Sequence, residues 1–369
     1  MGLKILLSGG GTAGHVNPAI TIADFFKARH PEADIRFVGT DYGIESTLVP
    51  KAGYKLYTVE VYGLRRKLDI KNVRNAAKAL SAIGKSKDIL REFKPDIVIG
   101  TGGYVSGSTV WAACDLKIPT AIHEQNAYPG LTTRQLAKRV DRLMISFEAS
   151  KKYFKRGTAL VGNPINENMM FSNKEDARQK LSIDDMPLLV TFGGSMGSRP
   201  FNEDIMGLMM AHAPLGKIRH VHAAGQFGIK WMPSELAEMG FDITKYPNIE
   251  LKEYIFDMET VMAAADLVIT RAGAITLGEI AVMGKPSILI PSPNATNNHQ
   301  FYNAKAFEDA GAAVLIEEKE CNGSLLWQKA QDLLSNSGKL EEMTRAAHGL
   351  AIYDSAGRIY DTVLPLLRP

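Results

Sequence analysis

Ser8-Gly9-Gly10-Gly11-Thr12-Ala13-Gly14-His15-Val16-Asn17-Pro18 follows the apolar run Ile5-Leu6-Leu7 and leads into a helical pattern from Ala19 to Lys27. The order is strand, glycine turn, helix. Glycines let backbone N–H groups approach a bound phosphate, and the following helix aims the positive end of its dipole at the same anion. A phosphate-bearing ligand is the first implication. Gly9, Gly11 and Gly14 also match the dinucleotide fingerprint, which wants an acidic residue near the end of the second strand, where Asp41 stands. Such a match alone equally describes a tight turn.

Outward from this stretch, short apolar runs alternate with helical patterns. Strands are expected at Lys4–Ser8, Ile35–Gly39, Tyr54–Val61, Asp96–Gly100, Thr120–Glu124, Arg142–Ser146 and Thr158–Val161, the signature of a doubly wound parallel sheet. The pattern pauses near Gly162-Asn163-Pro164 and restarts with a helix over Asn173–Leu181 and strands at Leu188–Phe192, Arg219–Ala224, Ile249–Ile255, Asp266–Thr270, Ser287–Pro291 and Ala313–Glu317. The fold expected is two Rossmann-like α/β domains, 1–161 and 162–351, facing each other across a cleft. A last helix, about 352–369, is expected to cross back to the first domain.

The 369 residues suffice for two domains, each with its own core. No run approaches the roughly 18 apolar residues that span a bilayer, and the expectation is a cytoplasmic protein. Cys114 and Cys321 are far apart, which suggests neither a disulfide framework nor a cysteine metal site. Net charge is only +3, yet residues 1–161 hold 25 Lys/Arg against 14 Asp/Glu, and 162–369 hold 18 against 26. The basic half points to an anionic partner, or to a solvated face with none.

Two more glycine loops follow strands: Gly100-Thr101-Gly102-Gly103-Tyr104-Val105-Ser106-Gly107, and Gly193-Gly194-Ser195-Met196-Gly197-Ser198 in the second domain. If the first two share one sheet edge, their amides converge on a cavity for two linked phosphates. Thr270 to Glu279 again runs from strand to helix. The Glu279 carboxylate, acceptor-only, suits two ribose hydroxyls, although a helix charge is as easily just solvated. Backbone groups near Tyr254-Ile255 could read a base. Asn297-Asn298-His299-Gln300, and His123-Glu124-Gln125-Asn126 in the first domain, offer amides to sugar hydroxyls, or in the former case cap a helix.

His15 is the leading general-base candidate, because an acceptor hydroxyl and a phosphate leaving group could meet at its loop; His123 or Glu124 could serve instead. His220 and His222 share a strand face without an evident third ligand, so they read as structural, and there is no Asp-x-Asp pair for a divalent cation. Gly84-Lys85-Ser86 is no P-loop, since position 79 is Ala and the segment reads as helix. The densest basic region, Leu64 to Arg91, carries Arg65, Arg66, Lys71, Arg74 and Lys78 beside an apolar stripe of Ile70, Val73, Ala77 and Leu80. That combination can lie on anionic lipid, or can pack its stripe on the sheet; without interleaved aromatics it does not suggest nucleic acid.

Together, Gly10–Val16, Gly102–Gly107, His123–Asn126, Gly162–Pro164, Gly193–Ser195 and Arg271–Ala274 resemble the MurG family of glycosyltransferases. These enzymes add N-acetylglucosamine to undecaprenyl-pyrophosphoryl-N-acetylmuramoyl-pentapeptide in peptidoglycan synthesis, and so serve cell-wall growth, shape and division. The resemblance implies a GT-B fold, acceptor lipid on the N-terminal domain, UDP-N-acetylglucosamine on the C-terminal one, and a peripheral position on the cytoplasmic face of the cell membrane. It implies Ile255 backbone at uracil, Glu279 at the ribose, Ser195 at the phosphates, and Asn126, Ala274 and Gln300 at the sugar, with Thr12 and Gly14 also on the donor. Gly11, Thr12, Gly14, Gly103, Tyr104 and Ser106 would form the acceptor diphosphate loops, and Arg65, Arg66, Lys71, Arg74 and Lys78 the membrane face. Three positions depart from the family: Asn166 where it usually has Arg, Met196 for Gln, and His299 for Gln.

The reaction so implied is inverting hexosyl transfer without metal or cofactor. His15 takes the proton of the muramoyl 4-hydroxyl and UDP leaves from the opposite face, with catalysis by positioning, domain closure and preorganised amides. The rival readings are a transferase for another lipid, a UDP-N-acetylglucosamine epimerase, a nicotinamide oxidoreductase and a non-catalytic membrane scaffold. Protein partners and oligomeric state are not written in the sequence.

Overall fold

The computed structural model describes residues 2–61, 70–166, 168–183 and 185–367, with only the backbone for 70–77 and 79. The chain forms two units, Met1–Ile165 with Asp354–Pro369, and Asn166–Tyr353. The sequence reading sets these boundaries a few residues earlier, at 161/162 and 351/352.

In the first unit, β1 (Lys4–Gly9), β2 (Asp34–Gly39), β3 (Lys55–Thr58), β4 (Ile97–Gly102), β5 (Thr120–Glu124), β6 (Arg142–Ile145) and β7 (Ala159–Leu160) form one parallel sheet, ordered β3-β2-β1-β4-β5-β6-β7. Successive strand residues point to opposite faces. Ile5 and Leu7 therefore join Phe26, Phe37, Ile97 and Ile99 in one core, while Leu6 joins Val38, Val98 and Leu143 in another. Burial on both faces is why these strands read as unbroken apolar runs. The connecting helices include α1 (Ala13–Arg29), α2 (Glu45–Lys51), α3 (Ile70–Phe93) and α4 (Gly103–Asp115). The C-terminal helix Ser355–Val363 packs on α1: Ile359 and Val363 enter the same core as Phe26, and His30 Nε2 lies 2.9 Å from the Tyr360 hydroxyl.

In the second unit, β8 (Leu188–Phe192), β9 (Arg219–Ala223), β10 (Ile249–Lys252), β11 (Leu267–Thr270), β12 (Ser287–Leu289) and β13 (Ala313–Leu315) form a parallel sheet ordered β10-β9-β8-β11-β12-β13. Its core gathers Leu189, Phe201, Ile205, Leu208, Leu267 and Ile288. The expected strand over Ile249–Ile255 ends at Lys252, so Glu253, Tyr254 and Ile255 leave the sheet as a loop.

In each sheet the strand order reverses beside its first strand, at β1/β4 and at β8/β11. Chain connections diverge there and leave a crevice at the strands' C-terminal ends, where open α/β sheets hold ligands. All three glycine loops fall at these two points.

Candidate active site

The first two glycine loops meet. Gly10 N donates to Gly102 O at 3.2 Å, and a Cβ on Gly103 would fall 2.3 Å from Gly10 O, so only glycine permits the approach. Thr12 precedes α1 in extended conformation, and Pro18 inside α1 has no N–H to offer the Gly14 carbonyl. His15 sits in the first turn of α1. Its Nδ1 lies 3.1 Å from Gly10 O and 3.3 Å from Thr12 Oγ1. A carbonyl can only accept, so Nδ1 carries the proton in that contact and Nε2 is the basic nitrogen. Gly102 makes room for the ring, since a Cβ there would lie 2.6 Å from His15 Cδ2.

The remaining residues expected at these loops fare differently. Thr12 and Gly14 are exposed, and Tyr104 is 52% exposed at the start of α4 beside Gly103. Gly11, at φ +83°, gives its amide to Glu45 Oε2 at 3.0 Å. Ser106 is buried, with its Oγ against Gly100. Asp41, the acid sought by the dinucleotide reading, is exposed; the buried acid is Glu45.

His123 and Glu124 are not bases. The His123 ring is buried, its Nε2 donating to Gly162 O at 2.8 Å and its Nδ1 accepting from Gln125 Nε2 at 3.2 Å; burial pulls its pKa down to about 4. Glu124 accepts from Asn126 N and Nδ2 at 3.1 and 3.2 Å and from Gly130 N at 3.1 Å, which folds the turn after β5. Asn163 Nδ2 donates to Gln125 O, and Gln125 Nε2 donates to Thr101 O. These motifs thus tie the end of the first unit to its second glycine loop.

In the second unit a cavity of about 370 Å³ opens at the C-terminal ends of β8 and β11. Its lining includes Gly193, Gly194, Ser198, Gly273, Ser292 and Gln300. Two helices begin there, Arg199–His212 behind Ser198 and Ala274–Val282 behind Gly273, so helix N-terminal amides border it. Gly194 and Gly197 have φ of +99° and +77°, and a Cβ on Gly197 would strike Ala224 O at 2.2 Å. Ser195 and Met196 are exposed at the tip of that loop. Gln300 Oε1 accepts from Ser292 N at 2.9 Å, which fixes the amide at the pocket. No side-chain cap holds the helix His299–Asp309; Asn297 and Asn298 instead take left-handed conformations, and His299 Nδ1 donates to Thr296 O at 2.7 Å.

Glu279 stands one and a half turns into the helix Ala274–Val282 and is partly buried. No donor among the described residues reaches its carboxylate, and burial pushes its pKa up to about 7. A carboxylate left without partners in a desolvated place is poised for hydroxyl donors. Ala274 is the first residue of that helix, and Ile255 is buried between exposed Tyr254 and Phe256. Asn126 belongs to the first unit and Asn166 to the loop that opens the second, where its Oδ1 accepts from Asn168 N.

Arg271, which the motif Arg271–Ala274 carries, frames the pocket. Its guanidinium, 6% exposed, donates to Ile290 O at 3.1 Å and Ser198 Oγ at 2.7 Å and pairs with Glu318. His220 and His222 prove to be core residues with a third member: Thr191 Oγ1 lies 2.8 Å from His220 Nε2 and 2.7 Å from His222 Nδ1, and His212 Nε2 lies 2.9 Å from His220 Nδ1. Among the described residues no group of three His, Cys, Asp or Glu is arranged to hold a metal ion.

Of the basic face, Arg65 and Arg66 lie outside the described residues, as do the side chains of Lys71 and Arg74. Lys78 pairs with Glu60. The C-terminal half of α3 packs through Ala82, Ile89, Leu90 and Phe93, whereas Leu80 is 71% exposed and is not part of the packed face. Among the described residues no helix is long and apolar enough to cross a membrane.

Two parallel α/β domains, each with a glycine loop at its switch point, and a helix-bordered pocket in the second define the GT-B fold. Residues 5–145 match the glycosyltransferase family 28 N-terminal domain, and residues 188–359 the family 28 C-terminal domain. The chain is 42% identical to the UDP-N-acetylglucosamine–N-acetylmuramyl-(pentapeptide) pyrophosphoryl-undecaprenol N-acetylglucosamine transferase of Acetivibrio thermocellus, over 99% of each chain. It is also 42% identical to the transferase of the same name from Clostridioides difficile, over 98% of this chain and 88% of that one. MurG of Acinetobacter baumannii superposes with a TM-score of 0.80 at 27% identity, over 98% of this chain and 99% of that one. The chain belongs to the MurG family of N-acetylglucosaminyltransferases within glycosyltransferase family 28. A UDP-GlcNAc 2-epimerase of Neisseria meningitidis shares the fold, with a TM-score of 0.65 at 16% identity over 98% and 100% of the two chains.

Proposed function

We propose that this protein transfers N-acetylglucosamine from UDP-N-acetylglucosamine to the muramoyl 4-hydroxyl of undecaprenyl-pyrophosphoryl-N-acetylmuramoyl-pentapeptide, with inversion at the anomeric carbon. The observation that carries the reading is the second unit's pocket, where a glycine loop and two helix starts border the cavity and Gln300 lines it. Amides and dipoles of that kind stabilise a leaving diphosphate because they are already oriented.

In this reading Ser195 and the loop around it meet the phosphates, Glu279 accepts from the ribose hydroxyls, the Ile255 backbone meets uracil, and Ala274 and Gln300 meet the sugar. Asn126, Thr12 and Gly14 are the first-unit residues that this reading assigns to the donor. The acceptor diphosphate lies on the loops carrying Thr12, Gly14, Gly103 and Tyr104. His15 Nε2 removes the hydroxyl proton as the oxygen attacks the anomeric carbon, and the electrons of the breaking bond leave with UDP. Lys71, Arg74 and Lys78, with Arg65, Arg66 and exposed Leu80, rest on an anionic lipid surface, each cation contributing on the order of 1 kcal/mol.

Steady-state UDP release from UDP-N-acetylglucosamine, with and without a soluble lipid-linked muramoyl-pentapeptide analogue, tests this reading. Acceptor-dependent release is expected, and it is expected to persist in EDTA. Release that ignores the acceptor would contradict it.

A further inference from the structure

The mechanism above leaves one buried acid without a task. Glu45, the first residue of α2, is fully buried beneath the first glycine loop. Its Oε1 accepts from Thr40 N at 3.0 Å and Thr40 Oγ1 at 2.6 Å, and its Oε2 accepts from Gly11 N at 3.0 Å. Three glycines clear its space: a Cβ on Gly10, Gly39 or Gly43 would come within 2.5, 2.6 or 2.3 Å of the side chain. Burial works to raise its pKa, but the hydrogen bonds from Thr40, Gly11 and its own amide outweigh that and hold it below the usual carboxylate range. It is an anion at neutral pH.

The N–H of Gly11 and the C=O of Gly10 are the two ends of one planar peptide group, and it is trans. Glu45 therefore holds one edge of this peptide while His15 Nδ1 donates to the other edge at 3.1 Å. A charged acceptor on the N–H polarises the peptide and makes its carbonyl a stronger acceptor for the imidazole N–H. The arrangement is a carboxylate–peptide–imidazole chain, in which the peptide stands where a catalytic dyad has direct contact.

We propose that Glu45 is a positioning residue for sugar transfer, acting through the Gly10–Gly11 peptide to set the orientation, tautomer and basicity of His15. The proposal rests on the reading of His15 as the base. Glu45 touches neither substrate. The elements packed on this loop also carry Lys51 on α2 and Tyr104, Cys114 and Asp115 on α4. Lys51 is exposed at the far end of α2, Cys114 lies against Thr120, and Asp115 pairs with Lys87 and Arg139. On α1 itself, Asp24, Lys27 and Arg29 stand more than two turns beyond His15. Glu45 and Tyr104 are thus the titratable groups of these elements that stand at the loop.

The test compares full-length wild type, Glu45→Gln, His15→Ala and the double variant in kcat, KM for UDP-N-acetylglucosamine, and the pH profile of kcat/KM. In Glu45→Gln, kcat is expected to fall about tenfold to a hundredfold, the scale of lost outer partners at catalytic histidines' metal-site counterparts. KM for the donor stays within about twofold and the acid limb moves to lower pH, because the imidazolium loses support. The double variant is expected to be no slower than His15→Ala. A wild-type profile in Glu45→Gln overturns the proposal, as does a fall in kcat with an unmoved acid limb that adds to the His15 effect, which marks a scaffold. Near-normal turnover in His15→Ala removes the base reading first and this proposal with it. If Glu45→Gln melts below assay temperature, Glu45→Asp carries the test: its carboxylate is one methylene too short for Gly11, and an unmoved limb there overturns the proposal equally.

Discussion

Arg271, at the end of β11, donates to Ser198 Oγ at 2.7 Å and so fastens the first turn of the helix behind the third glycine loop to the neighbouring strand. The same guanidinium holds Ile290 O and Glu318, three acceptors from three separate segments. Its fork geometry matters as much as its charge. Arg271→Ala leaves Glu318 mostly buried without its cation, and unfolding in urea is expected to show a loss of about 3 kcal/mol. Arg271→Lys keeps the charge but reaches fewer of these acceptors, and is expected to fall between the two with weakened UDP binding. Wild-type stability in Arg271→Ala would show that the three contacts do not hold the pocket.

Replacing His15 by Ala removes the proposed base and leaves the second unit's pocket intact. Turnover is expected to fall by about 10² to 10⁴, while calorimetric titration with UDP gives an affinity close to wild type. Loss of both together would point to a structural role for the ring.

The proposed contact of Glu279 with the donor's ribose predicts that donor binding depends on pH. Its carboxyl has a pKa of about 7, raised by burial, and the ionised form is the one that accepts from a ribose diol. UDP affinity is therefore expected to be level above pH 7 and to weaken by about tenfold per unit below it, since each unit removes that fraction of the ionised form. Glu279→Gln is expected to bind weakly with no such slope. A slope that survives in Glu279→Gln belongs to another group.

The histidine core makes the second unit acid-sensitive. Burial lowers the pKa of His212 to about 4, of His222 to about 3, and of His220 well below its ordinary value. In the unfolded chain all three protonate near 6.5, so the unfolded state binds protons first as pH falls. The stability they contribute is complete above about pH 6.5 and is lost progressively below it, down to about pH 4 for His212 and about pH 3 for His222. Glu279 and Asp204, whose carboxyl pKa values burial raises, act in the opposite sense by taking up their protons first in the folded state, but they are two groups against three. Amide exchange in β8 and β9 is expected to be faster at pH 5 than at pH 7.5 after correction for intrinsic rates; equal protection would mean that the histidines are not buried neutral.

Both sheets were legible because a strand covered on two faces is built from apolar residues, as Ile5-Leu6-Leu7 and Leu188-Leu189-Val190 are. The loops were legible because Gly103 and Gly197 stand where any Cβ meets backbone. Partnership was not. His123 and Glu124 look like catalytic groups in sequence, but His123 is taken by Gly162 O only when β5 and the chain after β7 are brought together, and Glu124 by the amides of Asn126 and Gly130 only once the turn after β5 has folded back on it. Glu45 was hidden for the same reason. Only the fold distinguishes it from exposed Asp41, four residues earlier, although the glycines at 39 and 43 around it were a usable signal. Strand β10 ended early because Glu253 to Ile255 turn away beside the sheet edge, which periodicity does not register.

The most direct measurement is the product itself: the protein is incubated with UDP-N-acetylglucosamine and a soluble lipid-linked muramoyl-pentapeptide analogue, and the sugar product is isolated and its linkage read by NMR. One N-acetylglucosamine joined in β-linkage to the muramoyl 4-oxygen, with one UDP released per disaccharide, is the predicted result. Unchanged acceptor accompanied by an epimerised sugar or by free N-acetylglucosamine would contradict it.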